Sequence, residues 1–96
     1  MLTLCVLIWA IPGREQELAA YEDAVLTIVR DHNGTVLQRL RGTQGGNDPT
    51  EIHVLQFPSN AEFKTYLGDE RRTGSATQRD ACVGRTQAIQ VEPIAK

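Results

Sequence analysis

The segment Leu2-Thr3-Leu4-Cys5-Val6-Leu7-Ile8-Trp9 indicates a β-strand with apolar side chains on both faces. Because side chains alternate along a strand, leucine, valine and isoleucine occupy one face, while Cys5, Leu7 and Trp9 occupy the other. In an antiparallel sheet with helices on one side, the second face is normally polar, because water covers it. A doubly apolar strand needs a second cover, most simply another copy of the chain. The segment therefore predicts a homodimer through the sheet face, burying on the order of 2,000 Å² in total.

A long helix is predicted directly after this strand. Pro12-Gly13 ends the strand, and Glu15 and Glu17 favour a helix start, since carboxylates stabilise the positive end of the helix dipole. We expect the helix to stop at Gly34 in the left-handed conformation. The apolar positions that recur with a helical period are Leu18, Tyr21, Val25, Ile28 and Val29.

Two strands joined by a polar connector follow the helix. They are predicted at residues 35–41 and 50–57, which makes them a long antiparallel hairpin. The connector, residues 42–49, is rich in glycine, and we expect its tip to be the most mobile internal segment. It does not open a helix and no Lys-Ser/Thr pair follows it, so it does not match a phosphate-binding loop.

A second helical region and a last strand complete the pattern. Ser59-Asn60-Ala61-Glu62 is a capping box that starts the helix. Glycines predict an interruption between residues 68 and 75 and a helix end at Gly84. The last strand is expected from about Thr86 to Glu92.

The order strand–helix–strand–strand–helix–strand predicts an α+β, ferredoxin-like fold with a four-stranded antiparallel sheet. The chain has 96 residues, which suits a single domain over residues 1–96. Hydrophobic residues make up 41% and charged residues 23%, so a compact core is available and general disorder is excluded.

The composition also restricts partners and location. A net charge of −2 argues against binding a nucleic-acid backbone. No run approaches the roughly 18 apolar residues of a membrane helix, and the apolar N-terminus lacks the preceding basic residue of a signal peptide. Cys5 and Cys82 do not make a disulfide scaffold. We expect a cytoplasmic protein.

Most signatures of catalysis are missing from the sequence. The two histidines, His32 and His53, are not in a metal-ligand spacing, and no serine occupies a nucleophile elbow. The strand at residues 50–57 lacks the paired aromatics of RNA-recognition modules. We therefore expect no metal and no organic cofactor.

The candidate catalytic residues are His53 and Arg39. Alternation places His53 on the apolar face of its strand, while Leu37, Arg39 and Arg41 share one face of the neighbouring strand. If these faces meet, a neutral histidine acts as general base, and Arg39 or Arg41 holds an anion. The alternative is a partly exposed histidine beside arginines that solvate an edge strand.

Three aromatic residues are candidate ligand-binding residues beside Arg41. Trp9 offers a wall for an aromatic ligand, although packing in the core or an interface explains it equally. Tyr21 and Tyr66 lie on the apolar faces of their helices, where only the hydroxyl group would reach a pocket.

The chain resembles the dimeric α+β barrel superfamily, which includes antibiotic-biosynthesis monooxygenases and many small uncharacterised proteins. The resemblance is carried by Asn33-Gly34, by the strand Leu37-Gln38-Arg39-Leu40-Arg41-Gly42, by His53-Val54-Leu55-Gln56-Phe57-Pro58-Ser59 and by Arg79-Asp80-Ala81-Cys82. It implies two sheets packed face to face across a two-fold axis, with ligands between the sheet and helices of each subunit. It transfers no catalytic residue to this chain.

Two functions remain open from the sequence, beside a purely structural role as a partner protein. The first is a small cofactor-independent enzyme, monooxygenase- or isomerase-like, that acts on an apolar or aromatic metabolite. The second is a non-catalytic homodimer that binds a small ligand or is associated with stress. A large cavity with converging polar groups would favour the first.

Overall fold

The chain folds into a four-stranded antiparallel sheet with helices packed on one side. The computed structural model describes residues 1–94. Its elements are β1 (Leu2–Ala10), α1 (Glu15–Asp31), β2 (Thr35–Arg41), β3 (Glu51–Phe57), α2 (Asn60–Leu67), α3 (Glu70–Thr73), α4 (Ala76–Cys82) and β4 (Val83–Val91). The strand order is β2-β3-β1-β4 with every pair antiparallel, which confirms the predicted α+β ferredoxin-like fold. The predicted domain of residues 1–96 extends two positions beyond the described residues.

The core lies between the sheet and the helices. β1 occupies the middle of the sheet, and its residues Leu2, Leu4 and Ile8 are buried on the helix side. Phe57 of β3 is fully buried and packs against Phe63 and Tyr66 of α2, with ring centroids 5.3 and 5.4 Å away. Burying one such side chain contributes roughly 1.5–3 kcal/mol, so this aromatic group anchors α2 on the sheet.

Within residues 1–94, the helices all lie on one side of the sheet, and its other face is open. The Cα trace is only 16 Å thick in its smallest dimension, which accommodates one sheet and one layer of helices. Cys5, Leu7 and Trp9 alternate with the buried residues of β1 and therefore lie on this open face. The register places Ile52, Val54, Ile89 and Val91 beside them.

A bulge in β2 corrects one predicted face. The pairing with β3 shifts between Val36 and Gln38, so that Leu37 has no partner. Val36 can therefore pack on the core while Arg39, three positions later, also points to the helix side. Leu37, which we predicted to share a face with Arg39, is instead 45% exposed.

The stop of α1 differs from the expectation. The left-handed residue is Asn33, with a φ of 63°, whereas Gly34 does not have a positive φ. Gly34 is required for a different reason, because a Cβ there would lie 2.5 Å from a methyl group of Val29 and 2.9 Å from the Phe57 ring. The glycine lets the chain pass close to the core as it enters β2.

The second helical region contains three short helices. Ser59 caps α2 as predicted, with its hydroxyl accepting the Glu62 N–H. The predicted interruption is occupied by α3, whose first N–H groups are capped by Asp69. The predicted end at Gly84 is wrong, because β4 starts at Val83, and Gly84 lies in the strand where the pairing with β1 shifts.

Candidate functional site

A cavity of about 150 Å³ lies between the sheet and the helices. Side chains from every helix and from three strands surround it. A dry cavity of this size is large enough to hold a benzene ring. Its walls are mainly apolar, and its polar lining consists of Tyr21, Glu22, His53, Tyr66, Arg72, Arg79 and Thr86.

A chain of side-chain hydrogen bonds on the helix side of the sheet positions His53. Nε and Nη2 of Arg39 donate to the two carboxylate oxygens of Glu51, over 2.9 and 3.2 Å. Glu51 in turn lies 2.7 Å from Nε2 of His53, which is only 1% exposed. Because both Glu51 oxygens already accept hydrogen bonds from the guanidinium, the carboxyl group acts as an acceptor here and Nε2 is the donor in this bond.

The second ring nitrogen of His53 points to the cavity wall. With Nε2 carrying the proton, Nδ1 of the neutral ring is an acceptor. It lies 3.9 Å from Oε2 of Glu22, which is too long for a hydrogen bond. Burial lowers the pKa of His53, against the opposing effect of Glu51, and Arg39 lowers it further. The ring is therefore biased toward the neutral form that accepts a proton.

Glu22 is a buried carboxyl group with an abnormal pKa. The residue is 5% exposed, and burial, followed by the charge of Glu51, raises its pKa from 4.5 to about 7. The charges of Arg39 and Arg72 only partly offset these effects. At neutral pH the group therefore exchanges readily between its acid and its carboxylate forms, as a general acid or base requires.

Polar groups of four residues converge on the cavity. Within residues 1–94, every side-chain nitrogen or oxygen that is shielded from solvent has a hydrogen-bond partner. The Glu22 carboxyl, Nδ1 of His53 and the Tyr21 hydroxyl form no hydrogen bond to the protein there, so they reach open space, whereas the Tyr66 side chain is hydrogen-bonded to Arg72. The space that all four residues line is the cavity.

The mouth of the cavity lies along β4 and is positively charged. The helices leave β4 uncovered, and its residues Thr86 and Ala88 are exposed where they border the cavity. Arg72 and Arg79 line the same opening from α3 and α4. Both guanidinium charges lower the pKa of Tyr21, although burial raises it overall, which places the charges close to the hydroxyl.

The predicted site residues separate into two groups. His53, Tyr21 and Tyr66 line the cavity. Arg39 and Arg41 lie outside it, because Glu51 stands between Arg39 and the imidazole, and both arginines border a surface groove beside β2. The expectation that one of them reaches a ligand beside His53 in this cavity is therefore corrected.

Trp9 is on the wrong side of the sheet to line this cavity. Its indole lies on the open face, where Cζ of Arg85 sits 4.3 Å from the ring centroid. Its Nε1 donates to the carbonyl oxygen of Asn47 over 2.9 Å. The residue therefore connects the hairpin loop to the open face.

Sequence reasoning overlooked three residues of the site. Glu22 interrupts the apolar stripe of α1, one position after Tyr21, and a charged residue in such a stripe is a detectable signal. Glu51 shares the alternating buried face with His53, so the same strand pattern places it. Arg72 follows another arginine in a short polar helix, and no sequence signal separates the two.

The described part of the chain contains neither a metal-binding cluster nor a membrane-spanning helix. In residues 1–94, no three side chains of histidine, cysteine, aspartate or glutamate form a group that could hold a metal ion. No helix within that range has the length and hydropathy needed to cross a membrane.

Solved structures with the same fold come from several bacteria. PA3566 from Pseudomonas aeruginosa is 21% identical, with a TM-score of 0.75 over 98% of this chain and 94% of its own. An uncharacterised NIPSNAP domain protein from Burkholderia xenovorans is 13% identical, with a TM-score of 0.77 over 99% and 96% of the two chains. A NIPSNAP family protein of unknown function from Agrobacterium tumefaciens is 16% identical, with a TM-score of 0.73 over 97% and 87%.

No protein-family model matches the sequence, and no curated protein matches it. The structural similarity defines the class: the chain has the same small α+β, ferredoxin-like fold as the NIPSNAP domain proteins. At these identities the similarity extends to the fold alone, so function is argued from the cavity.

Proposed function

We propose that the protein is a homodimeric, cofactor-independent enzyme that transfers a proton on a small apolar or aromatic metabolite bound in the cavity. One observation carries this proposal: polar groups of Tyr21, Glu22 and His53 face the cavity with no hydrogen bond to the described part of the protein, and Tyr66 lines the cavity beside them. A mainly apolar cavity with a few converging polar groups is the usual form of a small-molecule site, because those groups can pair with a ligand.

Two of these groups suit acid–base chemistry at neutral pH. Nδ1 of His53 accepts a proton, and Glu51, which Arg39 holds in place, accepts the hydrogen bond from Nε2 of the imidazolium that forms. Glu22, with a pKa raised to about 7, donates or accepts the second proton. Such a pair removes a proton next to a carbonyl group and returns it elsewhere, which is an isomerase-like reaction.

The homodimer part of the proposal rests on the open face. Four strands spaced about 4.8 Å apart, with up to nine residues of about 3.3 Å each, present a projected area of about 500 Å² or more per subunit. Two such faces give roughly the 1,000 Å² that a biological interface needs, before any contact from loops. Ile89 and Val91 are 43% and 37% exposed on this face, and a second copy would cover them. The two free thiols fit the proposed cytoplasmic location.

Deuterium exchange on a simple aromatic ketone tests the enzymatic proposal. We expect the protein to accelerate incorporation of deuterium at the benzylic carbon of phenylacetone in D₂O, as followed by NMR. Glu22→Gln and His53→Gln should each reduce this rate by about a hundredfold, the usual contribution of one general acid or base. Glu17→Gln, on the exposed side of the same helix, is the matched control and should leave the rate unchanged.

The outcomes separate catalysis from binding. His53→Ala should weaken binding or turnover while the dimer stays folded, whereas its unfolding would assign the residue a structural role. If ligands bind but no variant alters exchange, the enzymatic proposal fails and the protein is a non-catalytic ligand-binding homodimer. Equal rates for Glu17→Gln and Glu22→Gln would also contradict the proposal.

A further inference from the structure

The guanidinium of Arg72 stands at the cavity mouth without a carboxylate partner. One of its nitrogens, Nη1, donates to the carbonyl oxygen of Leu67 over 3.2 Å, and Cζ lies 5.2 Å from the centroid of the Tyr66 ring. The guanidinium also hydrogen-bonds the Tyr66 side chain. No aspartate or glutamate oxygen in residues 1–94 comes within 4.0 Å of its nitrogens. Since arginine has five N–H donors, the group is fixed in position and still has donors to offer.

The adjacent arginine provides an internal comparison. Arg71 is paired with Asp31 over 2.7 Å and with Asp69 over 2.9 Å, so its charge is used within the fold. Arg72 instead lines the cavity and is half-buried. Arg79, the second cation at the mouth, forms an ion pair with its neighbour Asp80 over 3.5 Å. The guanidinium of Arg72 is therefore the charge at the mouth that no aspartate or glutamate of residues 1–94 neutralises by a direct ion pair.

We infer that the cavity binds a small monoanion, a carboxylate on an aromatic or short aliphatic body, with its carboxylate on Arg72. This inference rests on the proposed function and names the class of its substrate. A guanidinium fork matches the two oxygens of a carboxylate, which binds it through two parallel hydrogen bonds. The apolar body then enters the 150 Å³ cavity, which has the size of one aromatic ring.

The distribution of charge also orients the ligand. Glu22 is 5% exposed, whereas Arg72 is half-buried, and a carboxylate beside Glu22 would be repelled whenever Glu22 is ionised. At the mouth, Arg72 and Arg79 attract the same group. The anion is therefore held outside while the reactive part of the ligand meets His53 and Glu22.

A pair of probes with the same shape and different charge tests this inference. Phenylacetate and phenylacetamide differ in charge, and their binding can be measured by calorimetry or by NMR shifts. We expect phenylacetate to bind the wild-type protein about tenfold or more tightly than the amide, because a charge-assisted hydrogen bond is stronger than one between neutral groups. Arg72→Gln should abolish this preference, and Arg72→Lys should keep part of it, since lysine keeps the charge without the fork.

The matched control is Arg85→Gln, which removes an arginine from the open face and should not change the preference. Equal affinity for the two probes in the wild type, no binding of phenylacetate at millimolar concentration, or an unchanged preference in Arg72→Gln would overturn the inference. The first two results do not depend on the folding of any variant. Binding of phenylacetate through Arg72 without exchange on phenylacetone would support the inference and contradict only the enzymatic proposal.

Discussion

Nε2 of His53 lies 2.7 Å from a carboxylate oxygen of Glu51, two positions earlier on the same strand. Alternation along β3 puts both side chains on the helix side, where both are almost completely buried. The sheet therefore fixes the tautomer and direction of the imidazole without a loop. A site built on a strand holds its geometry more firmly than one built on loops.

Because Arg39 pairs with Glu51, we expect its removal to lower the free energy of unfolding. Arg39→Met would leave the buried Glu51 carboxylate without its cation, so we expect a loss of about 2–4 kcal/mol in the free energy of unfolding. Arg41→Met is the matched control on the same strand; Arg41 has no ion pair within residues 1–94, and its change should stay within about 0.5 kcal/mol. Urea denaturation at one protein concentration measures both.

A double variant separates the lost ion pair from lost packing. Arg39→Met combined with Glu51→Gln should be less destabilised than the sum of the single changes, because no unpaired charge remains buried. Equal losses for Arg39→Met and Arg41→Met would contradict the pairing of Arg39 with Glu51.

Glu22 predicts an unusual dependence of stability on pH. Its pKa is about 7 in the folded chain against 4.5 in the unfolded chain, so the folded state binds more protons between these values. The contribution of Glu22 to the free energy of unfolding should therefore fall by about 3 kcal/mol in all as the pH rises from about 4.5 to about 7. It should stay low above that pH. Glu22→Gln should remove this loss.

Denaturation of the wild type and Glu22→Gln between pH 5 and 8 tests the sign, with protein concentration held fixed. The free energy of unfolding of Glu22→Gln should increase relative to that of the wild type as the pH rises. A constant difference across this range would mean that Glu22 titrates normally. His53 acts in the opposite direction, because its lowered pKa removes stability as the pH falls below about 6.5.

The sequence contains enough information for the fold because each element has its own local signal. The alternation of β1, the period of α1 and the Ser59 cap each depend on a few neighbouring residues, and all three predictions are confirmed. The start of β4 was misjudged because Gly84 resembles a helix stop, although pairing with β1 continues past it.

The site was less predictable because it depends on which side chain stands between two others. Strand alternation alone brings Arg39 and His53 together, and the register does pair them. Their side chains meet only through Glu51, whose carboxylate group accepts hydrogen bonds from both the guanidinium and the imidazole. The mouth at Arg72 depends on the packing of three short helices, which no local pattern specifies.

The mobility of the loop between β2 and β3 remains a prediction. Gly45 and Gly46 have φ values of 67° and 64°, and an added Cβ at either would touch nothing within 4 Å. The bond from Trp9 to Asn47 is a long-range anchor of this tip. We expect residues 43–47 to have the lowest NMR order parameters among internal segments, and Trp9→Phe to lower them further.

Arg85→Gln is the control for this change. It removes the cation above the indole and leaves the hydrogen bond to Asn47 in place, so the order of the loop should not change. Order parameters as high as those of the strands, in a protein whose loop makes no dimer contact, would contradict the prediction.

The open face predicts how the dimer can be disrupted. Ile89→Lys introduces a charge at a residue that is 43% exposed in one subunit, so a single subunit should tolerate it, while a face-to-face dimer would bury the ammonium group at a cost of several kcal/mol. Light scattering should give twice the 10.6 kDa chain mass for the wild type and the single chain mass for the variant.

Gln90→Lys is the matched control, because Gln90 pairs with Leu4 and faces the helix side. A stable wild-type monomer at micromolar concentration, or a dimer that persists in Ile89→Lys, would show that something other than a second copy covers this face.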